Sequence, residues 1–182
     1  MIFILLPFVE MFYASLRPLD HLFRSPYQFY SDDLSFWAYR EMWNTVPMLP
    51  RYIFNSFFLA SVTSIITLLF VIPAAYSYAR FKFPFKNSSL YILLAINMFS
   101  GAVLLIPLYK VLRTFGLLNT YQAMIVPGVA FLIPTAIWLL KSYFEKIPID
   151  LEEAAFVDGA SRVQILRHII APLSTPGLVV VG

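Results

Sequence analysis

Three stretches without a single charge leave this chain little choice of fold. Between Arg51 and Arg80 lie 28 uncharged residues, between Lys86 and Lys110 lie 23, and between Arg113 and Lys141 lie 27. A helix needs roughly 20 apolar residues to cross the hydrocarbon core of a bilayer. No water is there to satisfy backbone N–H and C=O groups, so each crossing segment must pair them internally, as a helix does. Three such runs in 182 residues predict an all-α, polytopic membrane helix bundle with spans at about 52–79, 88–109 and 121–140. Composition agrees where it bears on this. Charged residues make up 13% of the chain, against about a quarter in soluble domains, and the mean hydropathy is +0.76.

Two further apolar runs, at about 1–16 and 173–182, are too short to span by the same rule. They predict that the chain is a fragment, cut within its first and fifth spans. No basic segment or small-residue cleavage site precedes Arg17, which argues against a secretory signal. Pro73, Pro107 and Pro134 fall inside spans, where neighbouring helices tolerate a kink. Segment 17–50 mixes charges with Trp37 and Trp43, and reads as a loop that carries an interfacial helix or a substrate-contacting or partner-contacting surface. Charge alone barely orients the chain. Seven basic residues fall on the side of the turn Arg80–Lys86 and of loop 141–172, and six on the other.

The chemistry open to such a chain is narrow. The histidines His21 and His168 form no HExxH pair, cysteine is absent, and the adjacent Asp32 and Asp33 have no partner base in sequence. No GxxxxGK[ST] loop is present to cradle a nucleotide. The net charge of +3 is too small and scattered for nucleic acid. Secondary transporters usually carry ionisable groups inside spans. Here the three full runs have none, and Glu10 is the one acid within an apolar segment. Asn97, Ser100 and Asn119 are polar residues that could line a path or bond helix to helix.

Loop 141–172 is where the pattern changes. Asp150 reads as an N-cap with Glu153 at the capping-box position, and Glu152 and Glu153 suit a helix N-terminus. Gly159 ends that helix, Ser161 caps a second one with Gln164, and Pro172 is expected to end it where the fifth span begins. Helices this short are unstable alone in water. Leu151, Ala154 and Ala155 at helical spacing, beside Glu152, Glu153 and Asp158, fit a helix that docks in a groove of another protein. Packing on the chain's own spans remains the alternative.

The same residues resemble a known family. Glu153-Ala154-Ala155, then Gly159, Ile169 and Pro172, match the EAA signature of binding-protein-dependent ABC importer permeases. Asp158-Gly159-Ala160 has the family's DGA form, and Ala171 departs from the usual leucine. IPAAYSYARFKFPFK, IPLYKVLRTFGLLNTY and AIWLLKSYFEKIPIDLEEAA look like the sugar-uptake branch, similar to the maltose-type second permease.

This resemblance implies a type I importer permease core, of which the chain would hold about five of six spans. It implies that the loop, with Glu152, Glu153, Ala154, Ala155, Asp158, Gly159, Ala160, Ile169 and Pro172, is cytoplasmic and couples to an ATPase. The implied partners are a second homologous permease, an ATP-binding cassette ATPase dimer, an extracytoplasmic solute-binding protein and the lipid bilayer. ATP and Mg2+ would be used by the ATPase, with no cofactor bound by this chain. The implied location is a bacterial or archaeal cytoplasmic membrane. A sugar or oligosaccharide is the expected solute. A glycerophosphodiester, glycerol phosphate or other non-sugar solute is the alternative, and a secondary transporter a more distant one.

Overall fold

The computed structural model describes residues 2–18, 34–99 and 101–182, so His21, Arg24, Ser31, Asp32, Asp33 and Ser100 lie outside the described residues. Every regular element among the described residues is helical: α1 (Ile2–Ser15), α2 (Trp37–Thr45), α3 (Leu49–Arg80), α4 (Lys86–Ile96), α5 (Gly101–Thr114), α6 (Gln122–Glu145) and α7 (Asp150–Val157). Two more follow, α8 (Arg162–Leu173) and α9 (Thr175–Val181). Among the described residues, α3 and α6 are long and apolar enough to cross a membrane, and α8 with α9 makes a third if that bent pair counts as one span.

The chain divides into two compact units, Met1–Asn55 and Ser56–Gly182. In the first, the Ser15 and Tyr39 hydroxyls lie 2.7 Å apart, and the Ser35 N–H donates to the Leu16 carbonyl. The Arg17 guanidinium sits 4.4 Å from the Tyr13 ring centre and 3.8 Å from the Glu10 carboxylate. Glu10 therefore has the local partner that an acid in an apolar run requires. The aromatic segment expected to lie on a surface forms α2, which buries none of its residues.

The second unit has its core at one end. Val71, Ala75 and Tyr76 of α3 pack with Ala136, Ile137, Leu140 and Phe144 of α6, with Ile147, and with Ile165 and Ile170 of α8. These positions recur at helical spacing on each element, giving each helix one buried stripe. Tyr76 meets the rings of Phe81 and Phe144 edge-on. α3 ends at Arg80, and Pro84, which disfavours helical backbone at Phe83, blocks its continuation beyond the turn. Phe85 then takes a left-handed conformation, φ 62°, to start α4.

Three expectations need correction. The run at 88–109 is two helices, α4 and α5, rather than one continuous helix. At the end of α4 the N–H groups of Asn97, Met98 and Phe99 bond three residues back, to Leu94, Ala95 and Ile96. That tightening stops the α ladder between Asn97 and Gly101, both weak helix formers.

Asp150 is the first residue of α7, not its cap. Ile149 holds the cap position with helical backbone and no side-chain bond. The acids Asp150, Glu152 and Glu153 fill the first turn, where they face the positive end of the helix.

Pro172, finally, does not end the second loop helix. α8 widens into a π turn over Leu166–Ile170, with the Ala171 N–H bonding the Leu166 carbonyl, and this makes room for the proline ring. The break falls at Ser174, and α9 leaves at 83° to α8. Pro176 lacks the N–H that would bond the Pro172 carbonyl, and the Thr175 hydroxyl donates to that carbonyl instead, at 2.7 Å. The buried Ser174 hydroxyl donates to the Ile170 carbonyl at 2.6 Å.

Candidate functional site

The segment from Asp150 to Leu173 folds as helix, glycine turn, helix, each junction closed by its own hydrogen bonds. At the end of α7 the Ala160 N–H reaches the Ala155 carbonyl (2.9 Å) and the Gly159 N–H the Phe156 carbonyl (3.0 Å). This is a Schellman closure, and it needs a left-handed residue at Gly159, whose φ is +81°. The capping box expected at Ser161 forms. The Ser161 hydroxyl accepts from the Gln164 N–H, and the Ser161 N–H donates to the Gln164 side chain at 2.7 Å.

α7 has two faces. Residues of a helix follow one another by about 100°, so Glu152, Ala155 and Phe156 share the inner side. Glu152 is buried, 3% exposed, and Ala155 packs against the core. Asp150, Leu151, Glu153, Ala154, Val157 and Asp158 lie on the other side, and all are exposed. That outer face is an apolar strip, Leu151, Ala154 and Val157, edged by three acids.

The inner face is fixed by charge. Arg80 Nε, at the end of α3, donates to Glu152 Oε1 in an ion pair. The Tyr76 hydroxyl donates to Glu152 Oε2 at 2.7 Å. Arg80 also donates to the Ile147 carbonyl at 2.8 Å, in the turn that leads from α6 to α7. Both carboxylate oxygens are thus satisfied by donors, which a buried charge requires. A second contact sits beside it. The Arg162 guanidinium lies 4.7 Å from the Phe81 ring centre and 5.2 Å from that of Phe156, joining the start of α8 to both.

The residues singled out from sequence therefore divide. Glu153, Ala154, Asp158 and Gly159 are exposed together on α7 and its turn. Glu152 points inward, Ala155, Ala160 and Ile169 pack against the core, and Pro172 is exposed on α8. Asn97 and Asn119 both occupy breaks between helices, Asn119 with φ 61°.

This arrangement spans residues far apart in sequence, from Tyr76 to Ile170, and one family covers all of them. The model of the family described as binding-protein-dependent transport system inner membrane component matches residues 71–181. The chain belongs to that family. Among its relatives, the trehalose/maltose transport system permease protein MalG of Thermococcus litoralis is 36% identical over 174 residues, 96% of this chain and 62% of that protein. The sulfoquinovosyl glycerol transport system permease protein SmoH of Agrobacterium fabrum is 32% identical over 178 residues, 98% of this chain and 62% of that protein. A solved bacterial ABC transporter involved in the import of the acidic polysaccharide alginate superposes with a TM-score of 0.76 at 27% identity, over 99% of this chain and 64% of that one.

The chain therefore has the all-α permease fold that its EAA signature implied. It spans about 62% of the length of the two relatives named. Sequence reading missed Tyr76, Arg80 and Arg162. Arg80 had a signal, a lone charge ending a long apolar run, but its partner lies 72 residues away and no local spacing connects them.

Proposed function

We propose that this chain is the permease subunit of an ATP-driven importer that moves a sugar or oligosaccharide across a bacterial or archaeal cytoplasmic membrane. The observation that carries the reading is the outer face of α7. Leu151, Ala154 and Val157 form an exposed apolar strip edged by Asp150, Glu153 and Asp158, on a helix whose inner face is already occupied. Such a face fits an apolar groove with a basic rim. In this reading the groove belongs to a separate ATPase. The loop 141–172 is cytoplasmic, the segment 17–50 is outside, and the protein crosses the membrane several times.

Closure of the ATPase dimer pulls on the docked helix, and the spans alternate between outward and inward access. The chain itself catalyses nothing. ATP and Mg2+ act in the ATPase, a second homologous permease completes the pathway, and a solute-binding protein delivers cargo from outside. The family description supports the binding-protein partnership. Relatives named for trehalose/maltose and sulfoquinovosyl glycerol transport support a carbohydrate.

The test is reconstitution of the complete permease with the ATPase and binding protein from the same locus, followed by radiolabelled trehalose and maltose uptake. ATP-dependent uptake of either is expected. Absence of a co-purifying ATPase would refute the reading. Topology is checked with Ser161→Cys, a unique thiol because the chain has none of its own. Labelling from outside intact cells would overturn the orientation.

A further inference from the structure

Arg80 stands where three elements meet, and we propose that it is a positioning residue for transport. With Glu152 it forms a clamp that carries movement of α7 into α3. The inference rests on the coupling role given above to the loop.

α7 is joined through the backbone to α6 by the turn at Lys146–Ile149, and to α8 by the turn at Gly159. It has no covalent path to α3 except through the rest of the chain. Yet α3 is the longest helix of the described chain, with 32 residues, and 11% of its most apolar window is buried. Midway its contacts are apolar or single, such as the Ser64 hydroxyl on the Gly182 carbonyl, and polar contacts converge at its C-terminal end.

At its C-terminal end the grip is polar and directional. Tyr76 and Arg80, four residues apart on one face of α3, each donate to a different oxygen of Glu152. The same guanidinium holds the Ile147 carbonyl. One side chain thereby fixes the end of α3 to the turn after α6 and to the first loop helix.

A clamp differs from a stabilising contact. Apolar surfaces can slide by a fraction of a side chain and remain in contact. A buried carboxylate with two donors loses a bond if either helix moves without the other. Buried ion pairs are weak contributors to stability, since apolar replacements of like volume are often neutral. What the pair supplies is fixed geometry, and Glu152 is placed for that role while its neighbour Glu153 faces outward.

The experiment separates these possibilities in the complete importer. Arg80→Met with Glu152→Met removes the directional bonds while keeping apolar volume. Spin labels at Leu69→Cys on α3 and Val103→Cys on α5, both on exposed positions, report how α3 moves when ATP and vanadate trap the ATPase. ATP hydrolysis and radiolabelled trehalose or maltose uptake are measured in parallel.

The wild-type complex is expected to show a nucleotide-driven change in the label distance. The double variant should assemble and lose most of that change. Uptake per ATP should fall about tenfold or more, within the range of coupling between sites. A distance change and uptake per ATP equal to wild type would overturn the clamp while leaving the coupling role intact. A double variant that no longer assembles would also overturn it, making the pair a folding element. If the wild-type complex itself shows no ATPase association, the coupling reading fails first.

Discussion

The loop end of the second unit and its α4–α5 region are both apolar, yet they are built differently. Where α3, α6 and α8 converge, Val71, Ala75, Leu140, Phe144, Ile165 and Ile170 are buried, and Glu152 is buried among them with both oxygens bonded. α4 buries no residue at all. On α5, Val103, Leu105 and Ile106 remain two-thirds exposed. Lipid tails are as apolar as leucine, so surface facing a bilayer gains little from being covered by protein. Polar groups have no such freedom. The chain is therefore held most firmly where charges and carbonyls had to find partners.

The sharpest break in that contrast is Glu152→Ala. It leaves the Arg80 guanidinium, whose side chain is 9% exposed, without its carboxylate. Removing one partner of a buried pair costs about 3–5 kcal/mol. Leu105→Ala on α5, a residue facing outward, should change stability by less than about 0.5 kcal/mol. Thermal unfolding of both in detergent measures the difference. Equal losses would mean that the two regions are held alike.

Gly177→Ala tests the packing of α9 against α6. A Cβ there would stand 2.7 Å from both Cγ and Cδ2 of Tyr143, the root of a ring that cannot swing aside. Overpacking of this kind costs about 1–3 kcal/mol. In a Tyr143→Ala background, where both atoms are gone, Gly177→Ala should cost far less, and an equal cost would place the strain elsewhere.

How much of this was legible in the sequence depends on range. Ser161 and Gln164 form their box because both partners lie within one turn. Gly159 is left-handed, as a helix-ending glycine should be. Charge-free length located α3 and α6. The same rule failed at Asn97, where local tightening splits an apolar run that has no charge to mark the break. Pro172 misled because a π turn absorbs it, and widening of a helix leaves no composition signal. The pairing of Glu152 rather than Glu153 with Arg80 was invisible. Two adjacent glutamates are chemically identical, and which one faces inward depends on how α7 is rotated against α3.

Gly159→Val isolates backbone from packing. A Cβ at Gly159 meets nothing within 4 Å, so the left-handed φ is the main constraint at stake. A left-handed residue costs about 1–2 kcal/mol when it carries a Cβ. Asparagine tolerates that region better than a β-branched residue. Retention of the ATPase in a pull-down should therefore fall in the order glycine, Gly159→Asn, Gly159→Val. Membrane insertion should be unchanged, since no span is touched. If valine and asparagine behave alike, the Schellman turn is not what orders the loop.

The smallest expected effect on the fold sharpens the comparison within α7 itself. Glu153 is exposed and neighbours the buried Glu152, so the two alanine variants differ by one position and by one environment. Glu153→Ala should lower the unfolding temperature only slightly, because water already solvates that carboxylate and it keeps only its attraction to the positive end of α7. Under the proposed docking, its effect falls on association with the ATPase. A rim charge contributes to association through a screened attraction, so the loss should be modest at low salt and should shrink as salt rises. Titrating ATPase association against ionic strength for the wild type and Glu153→Ala measures this, and the two curves are expected to converge. A variant that unfolds early would move Glu153 into the structural class of its neighbour. Curves that stay apart at high salt would mean that the carboxylate is buried on docking, and that the acid edge of α7 contributes shape and hydrogen bonding as well as charge.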